Sequence, residues 1–169
     1  MSTGDETARI PVTIRRAVPS DAPALTVIAH AAKRHWGYDE RWIATWKKAL
    51  TVDSSFIERE EVFVAVRSGD TGAERVLGFH AIVVSGGRAS LEHLWISPEH
   101  MGQGIGRLLV DHAGMLSLAL GAESMLIESD PNAEAFYARL GARRVGDVPA
   151  DVLGVARSLP LMELQLAPR

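Results

Sequence analysis

Apolar positions along the chain recur at two periods, and the switches between them divide it into elements. Val12 to Val18 suits a short first strand, and Ser20 or Asp21, with Pro23 in the first turn, opens a helix ending near Gly37. Leu25, Ile28, Ala29 and Ala32 share one face of that helix. A second helix is expected from Asp39 to Leu50, with Trp42, Ile43 and Trp46 on one side. Next come EVFVAVR, from Glu61 to Arg67, and VLGFHAIVV, from Val76 to Val84, which flank Gly69, Asp70 and Gly72 and predict a hairpin. Ser85, Gly86 and Gly87 turn the chain into a third antiparallel strand that ends at Ile96. Ile105, Leu108, Leu109, His112 and Leu116 return to helical spacing, so a helix begins near Gly104. Met125 to Ser129 is another strand, reached by a crossover that makes it parallel to its predecessor. Pro131 and Asn132 open a helix carrying Ala133, Phe136, Tyr137 and Leu140 on one face, and Gly141 stops it. Ala142 to Val148 and a last strand with Met162, Leu164 and Leu166 complete the pattern, with Pro160 predicting a late start or an edge position. The sum is an α/β domain with a mixed, mostly antiparallel sheet.

Composition narrows this picture. With 169 residues the chain is most simply one domain over 12–169, after a polar tail over 1–11 that is expected to be disordered. A formal net charge of -3 argues against general attraction to nucleic acid or an anionic membrane. No cysteine is present, which removes disulfides, thiolate metal sites and an acyl-cysteine intermediate. His30, His35, His80 and His100 show no metal-ligand spacing, and His112 falls in an apolar stripe, so no metal is expected. The polar start lacks the apolar core of a signal peptide, and the expectation is a cytoplasmic protein.

The stretch LEHLWISPEHMGQGIGRLL, Leu91 to Leu109, offers chemistry. A strand stops at Ser97 and Pro98, and a glycine-rich turn opens a helix whose first backbone N–H groups have no partners within it. Those donors and the positive end of the helix dipole stabilise an anion, and Arg107 adds a charged donor. A Walker loop is excluded because no Lys-Ser/Thr follows Gly106, and a dinucleotide fingerprint fits poorly because Arg107 stands where its third glycine belongs. What remains, M-G-Q-G-I-G after an L-x-I-x-P strand end, resembles the acyl-CoA pyrophosphate loop of the GNAT acetyltransferase superfamily. Met101 departs from the usual Gln or Arg, while Gly104 and Gly106 match. The run N-A-E-A-F-Y-A-R-L-G-A from Asn132 to Ala142 resembles a second stretch of the same family, in the right order and separation.

The resemblance implies a GNAT-type sheet with helices on both faces and acetyl-CoA as co-substrate. In that family two neighbouring parallel strands splay apart and the pantetheine arm lies between them. The matching cofactor positions are Leu94, Trp95 and Ile96 on the strand, Met101, Gly102, Gln103, Gly104, Ile105, Gly106 and Arg107 around the turn, and Asn132, which is alternatively a helix cap. The Leu94 backbone would face the thioester oxygen. Tyr137 matches the family's general acid, which protonates the departing sulfur; otherwise its ring is simply part of the helix face.

Glu92 is the candidate base, an isolated carboxylate in an apolar strand, with His93 as the next choice. Strict alternation sets Glu92, Leu94 and Ile96 on one face and His93 and Trp95 on the other. The alternative for Glu92 is a plain partner for an arginine or a ring N–H. The motif H-W-G-Y places Trp36 and Tyr38 in a connection, where they border an acceptor pocket or else staple helices to the sheet. The expected activity is direct N-acetylation of a primary amine in a small molecule or peptide by a monomer or homodimer. A non-catalytic acyl-CoA-binding module is the competing reading.

Overall fold

A computed structural model describes residues 11–168; residues 1–10, most of the expected tail, lie outside it. Seven strands form one sheet: β1 (Thr13–Arg16), β2 (Glu61–Ser68), β3 (Glu74–Ser85), β4 (Arg88–Ile96), β5 (Ser124–Glu128), β6 (Arg143–Pro149) and β7 (Ser158–Gln165). Their spatial order is β1-β2-β3-β4-β5-β7-β6, and every neighbouring pair is antiparallel except β4 with β5. The helices are α1 (Ala22–His35), α2 (Glu40–Thr45), α3 (Lys47–Leu50), α4 (Ser54–Arg59), α5 (Ile105–Ala119) and α6 (Glu134–Arg139). No helix among the described residues is long and apolar enough to cross a membrane.

Period-two alternation in β2 and β3 creates two apolar faces, and each recruits a helix. On one side Leu25, Ile28 and Ala29 of α1 pack with Val62, Val64, Val66, Phe79 and Ala81. On the other, α5 sets Ile105 and Leu109 against Ala65 and Leu77. Val110 and Ala113 of α5 join Leu91, Met125, Ile127, Tyr137 and Met162. Leu25 and Leu109 are fully buried, so truncating either to alanine should cost about 2–5 kcal/mol.

Three local expectations are corrected. The helix expected over 39–50 breaks at Trp46, whose N–H is shared between the Ile43 and Trp42 carbonyls while the Thr45 hydroxyl donates to Trp42 O at 2.7 Å. An additional helix, α4, is capped by Asp53, which accepts from Phe56 N–H at 2.7 Å, and is held by buried Ile57. The last strand starts at Ser158 and lies inside the sheet between β5 and β6. Pro160 is tolerated there because it sits one residue beyond the last β5 pair, Leu161 with Glu128, where its carbonyl still accepts Ser129 N–H at 2.9 Å.

Candidate functional site

The parallel strands β4 and β5 pair only from Arg88 to Ser90 against Ser124 to Leu126. Beyond Ser90 the rest of β4 has no partner on that side, so the sheet opens into a wedge. A cavity of about 500 Å3 fills it. Leu91, Glu92, Leu94, Trp95 and Ile96 line one wall, and Ile127, Glu128, Asp130 and Tyr137 line the other. Unpaired strand backbone facing a cavity is a ready set of donors and acceptors for an extended amide-bearing ligand.

A bulge shapes the β4 wall. Leu91 pairs with Ile82 and His93 with Ala81, which leaves Glu92 as the extra residue. Strict alternation therefore fails at this point. Leu91 and Leu94 both pack on the α5 side, whereas His93 and Trp95 reach Phe79 and its α1-side cluster. Glu92 faces the cavity mouth. Burial pushes its carboxyl above the ordinary range, and the charges of Glu128 and Glu60 push it the same way. His93 is less suited to proton transfer than its sequence position suggested. Its Nδ1 accepts from Trp95 Nε1 at 3.1 Å, and burial depresses the ring to about 4.

The glycine turn closes the wedge at one end. Gly102 and Gly104 have φ of 74° and 82°, the left-handed region that side chains disfavour, and open space lies where their Cβ atoms would be. The first helical hydrogen bond runs from Leu108 N–H to Gly104 O, so the amides of Ile105, Gly106 and Arg107 precede the ladder. These features fit a pyrophosphate cradle. Individual expectations part here. Met101, Gly102, Gly104, Gly106 and Arg107 line the cavity. Ile105 is 2% exposed and turns its side chain into the core, leaving only its amide for a ligand. Gln103 donates from Nε2 to Glu99 O at 3.3 Å. Gly106 has a packing role: a Cβ there would stand 3.1 Å from Phe136 Cζ, so its absence lets α5 approach α6. Arg107 reaches towards Asp111 at 3.9 Å and is largely exposed.

Tyr137 lies on α6 with its ring buried and on the cavity wall. Burial, followed by the charge of Asp130, raises its hydroxyl well above the usual phenol range. The hydroxyl therefore stays protonated at neutral pH and is available as a donor. Trp36 lines the cavity, but Tyr38 lies behind Asp130 and off its wall. Tyr38, Trp42 and Trp46 pack on one another, with centroids 5.1–6.1 Å apart.

A cluster that the sequence pattern did not single out lies at the open end. Asp130 accepts from Lys33 Nζ at 2.6 Å, from Tyr38 OH at 3.0 Å, and from Asn132 N–H and Nδ2 at 2.9 Å. Arg157, from the β6–β7 connection, donates to Tyr38 OH at 2.9 Å and stands 3.6 Å from Asp130. Burial pushes the Asp130 carboxyl up, but Lys33, the Asn132 amide and Tyr38 hold it below the ordinary range. Lys33 and Arg157 also stack over the rings of Tyr38 and Trp46 at 4.2–5.2 Å. Asn132 thus spends its side-chain donors on Asp130 and Tyr38, while Asp130 performs the capping expected of Asn132. Two signals were readable: Lys33 follows Ala29 by four on the buried stripe of α1, and Asp130-Pro131-Asn132 is an Asx-capped start.

Comparison with known proteins agrees with this geometry. An acetyltransferase (GNAT) domain model matches residues 58–141. Peptidyl-lysine N-acetyltransferase YjaB of Salmonella typhimurium is 30% identical over 141 residues, which cover 74% of this chain and 89% of that protein. Among solved structures, a GCN5-related N-acetyltransferase from Rhodopseudomonas palustris superposes with a TM-score of 0.72 at 21% identity, covering 91% of this chain and 95% of that one. The PaiA N-acetyltransferase of Thermoplasma acidophilum, in complex with coenzyme A, gives 0.69 at 19% identity, with 92% and 99% covered. At these identities the two structures establish a shared fold.

Proposed function

The chain belongs to the GNAT acetyltransferase family, and from that membership we propose that it moves the acetyl group of acetyl-CoA directly to a primary amine, with a lysine side chain in a protein or peptide as the first acceptor class to test. The observation that carries the reading is the wedge between β4 and β5, whose single cavity is lined by a carboxylate with a raised pKa on one strand and a protonated phenol on the facing helix. Support for the donor comes from the cradle at Gly102 and Gly104 and from the coenzyme A complex of a structural neighbour. Support for a cationic acceptor comes from Glu92 and Glu128, which line the cavity, with Glu60 near enough for its charge to act on Glu92, and from the peptidyl-lysine acetyltransferase relative.

In this reading the amides of Ile105, Gly106 and Arg107 hold the pyrophosphate, and the open backbone of β4 at Leu94 and Ile96 holds the pantetheine amides. Glu92 takes a proton from the acceptor ammonium, directly or through one water. The freed amine forms a bond to the acetyl carbon, whose oxygen is met by the Leu94 amide. As the carbon–sulfur bond breaks, Tyr137 gives its proton to the sulfur; the second proton, shed by the amine nitrogen as it becomes an amide, returns through water to Tyr137, and Glu92 releases its proton to solvent. Acyl transfer within one cavity replaces a bimolecular encounter in solution.

The test is coenzyme A release from acetyl-CoA with a panel of lysine peptides, free amino acids and polyamines, read beside acetyl-CoA binding. Turnover with lysine peptides, identified as Nε-acetylation by mass spectrometry, is the expected result. Tight acetyl-CoA binding with no turnover on any amine would favour the non-catalytic module instead.

A further inference from the structure

The wedge poses a mechanical problem. Near its apex β4 and β5 are tied by ladder hydrogen bonds, but towards the mouth nothing in the sheet fixes the distance between them. Tyr137 belongs to the β5 side, on the helix that follows, and the β4 wall that it must face is covered by α1. A proton donor is useful only when its oxygen is held within hydrogen-bond reach of the leaving atom.

The Lys33–Asp130 contact crosses that mouth. Lys33 lies on α1 beside Ala32 and three residues before Trp36, both of which line the cavity. Asp130 lies between β5 and α6, and its own atoms organise the segment leading to Tyr137: its side chain takes the Asn132 amide at 2.9 Å, and its carbonyl takes Ala133 N–H at 2.8 Å and Ser129 Oγ–H at 2.7 Å. Side chains of Lys33, Asp130 and Arg157 are 10–11% exposed, so these are contacts made largely out of water. Tyr38 OH ties in the α1–α2 connection and, through Arg157, the β6–β7 connection.

We propose that Asp130, fastened by Lys33, Tyr38 and Arg157 across the mouth of the wedge, is a positioning residue that sets Tyr137 opposite the β4 wall. It touches no reacting atom and acts through the α6 segment. This rests on Tyr137 serving as the general acid. The same fastening joins the α1–α2 and β6–β7 connections beside Asp130 at the open end of the wedge, so a loosened clasp should weaken acceptor binding as well as slow the chemistry.

The experiment is a double-mutant cycle on kcat with Asp130→Asn, Tyr137→Phe and the pair, each variant first shown to melt cooperatively and to bind acetyl-CoA. If Asp130 acts through Tyr137, Asp130→Asn should lower kcat about tenfold or more in the wild-type background and by less than about twofold in the Tyr137→Phe background. Equal factors in both backgrounds would overturn the proposal and leave Asp130 a general structural residue. A Tyr137→Phe enzyme with wild-type kcat would instead overturn the general-acid reading, so the two failures are distinguishable. Should Asp130→Asn not fold, Tyr38→Phe replaces it in the cycle: it keeps the ring stack and deletes the hydroxyl that bridges Asp130 and Arg157. The same non-additivity in kcat is expected, together with a rise in the acceptor's KM that exceeds any rise for acetyl-CoA. Additive losses in that cycle would refute the proposal equally.

Discussion

Acid should unfold this protein earlier than its carboxylates alone would. His80 on β3 is fully buried, and its Nε2 lies 2.8 Å from Nδ1 of His112 on α5, while its own Nδ1 has no partner. Phe63 stacks on His80 at 5.6 Å and on His112 at 4.6 Å. One proton serves the two facing nitrogens. Charging His112 would hand the bond to His112 and force the His80 proton to Nδ1, where nothing accepts it. Burial, then the neighbouring His112, depresses His80 to about 3, and burial depresses His93 to about 4, against about 6.5 for both in the unfolded chain. Folded values below unfolded ones mean that the unfolded chain binds more protons between them. The associated stability is intact above about pH 6.5 and is lost as pH falls towards 3 or 4, at about 1.4 kcal/mol per pH unit for each group. Between pH 7.5 and pH 5 the two rings should together remove about 4 kcal/mol, a large share of a typical domain's stability. The paired carboxylates Asp21 and Asp130 titrate lower and contribute little in that window. Urea titrations at both pH values measure the loss, and His80→Leu should reduce it by about 2 kcal/mol, the share of one ring. An unchanged loss in that variant would refute the reasoning.

Three further outcomes are expected. Glu92→Gln should abolish the rise of kcat with pH that accompanies deprotonation of a carboxyl held above its ordinary range, with activity returning only as the pH nears the acceptor's own pKa; an unaltered pH–rate profile would remove Glu92 from the chemistry. Gly104→Val places a branched side chain at φ 82°, so the rise in Tm with acetyl-CoA at a hundredfold over Kd, equivalent to about 2.7 kcal/mol in the parent, should vanish while differential scanning fluorimetry still shows a cooperative melt. Gly106→Ala puts a methyl 3.1 Å from Phe136, and displacing the neighbour of Tyr137 by tenths of an ångström should lower kcat by about threefold to tenfold with little change in acetyl-CoA affinity, as measured by steady-state kinetics.

The strands, α1, α5 and the mixed sheet were legible because each buries one face and carries the matching period: Leu25, Ile28 and Ala29 identify α1 as plainly as the Val62, Val64 and Val66 series identifies β2. The glycine turn before α5 was legible for a different reason, since its spacing agreed in order and separation with a second stretch from Asn132 to Ala142. Trp46 hid its helix break because its ring suits a helix face and only a shared hydrogen bond reveals the turn. Lys33, Asp130 and Arg157 were illegible as a unit, being 97 and 27 residues apart along the chain and joined only when α1 meets the β5–α6 and β6–β7 connections. Tyr38 was noticed for its ring, whereas its position is set by its hydroxyl. Alternation placed Leu94 and Ile96 opposite His93 and Trp95 correctly, but it could not show the bulge at Glu92 that keeps Leu91 on the same side as Leu94, because it assumes that every residue of a strand is paired.

That unpaired residue makes β4 sensitive to number as well as to kind. Ala89 and Leu91 before the bulge, and Leu94 and Ile96 after it, all face α5, so the buried positions pass from odd to even at Glu92. Substituting Glu92 leaves this count intact, and the wall keeps its shape whichever side chain it carries. Deleting Glu92 would leave Leu91 and Leu94 two positions apart, the same-face spacing of a regular strand, so both could stay on α5 while the bulge that bends the wall would be lost. Exchanges at position 92 therefore revise the chemistry on a wall whose bend is kept, whereas loss of the residue would straighten the strand and take away the bend that presents that chemistry.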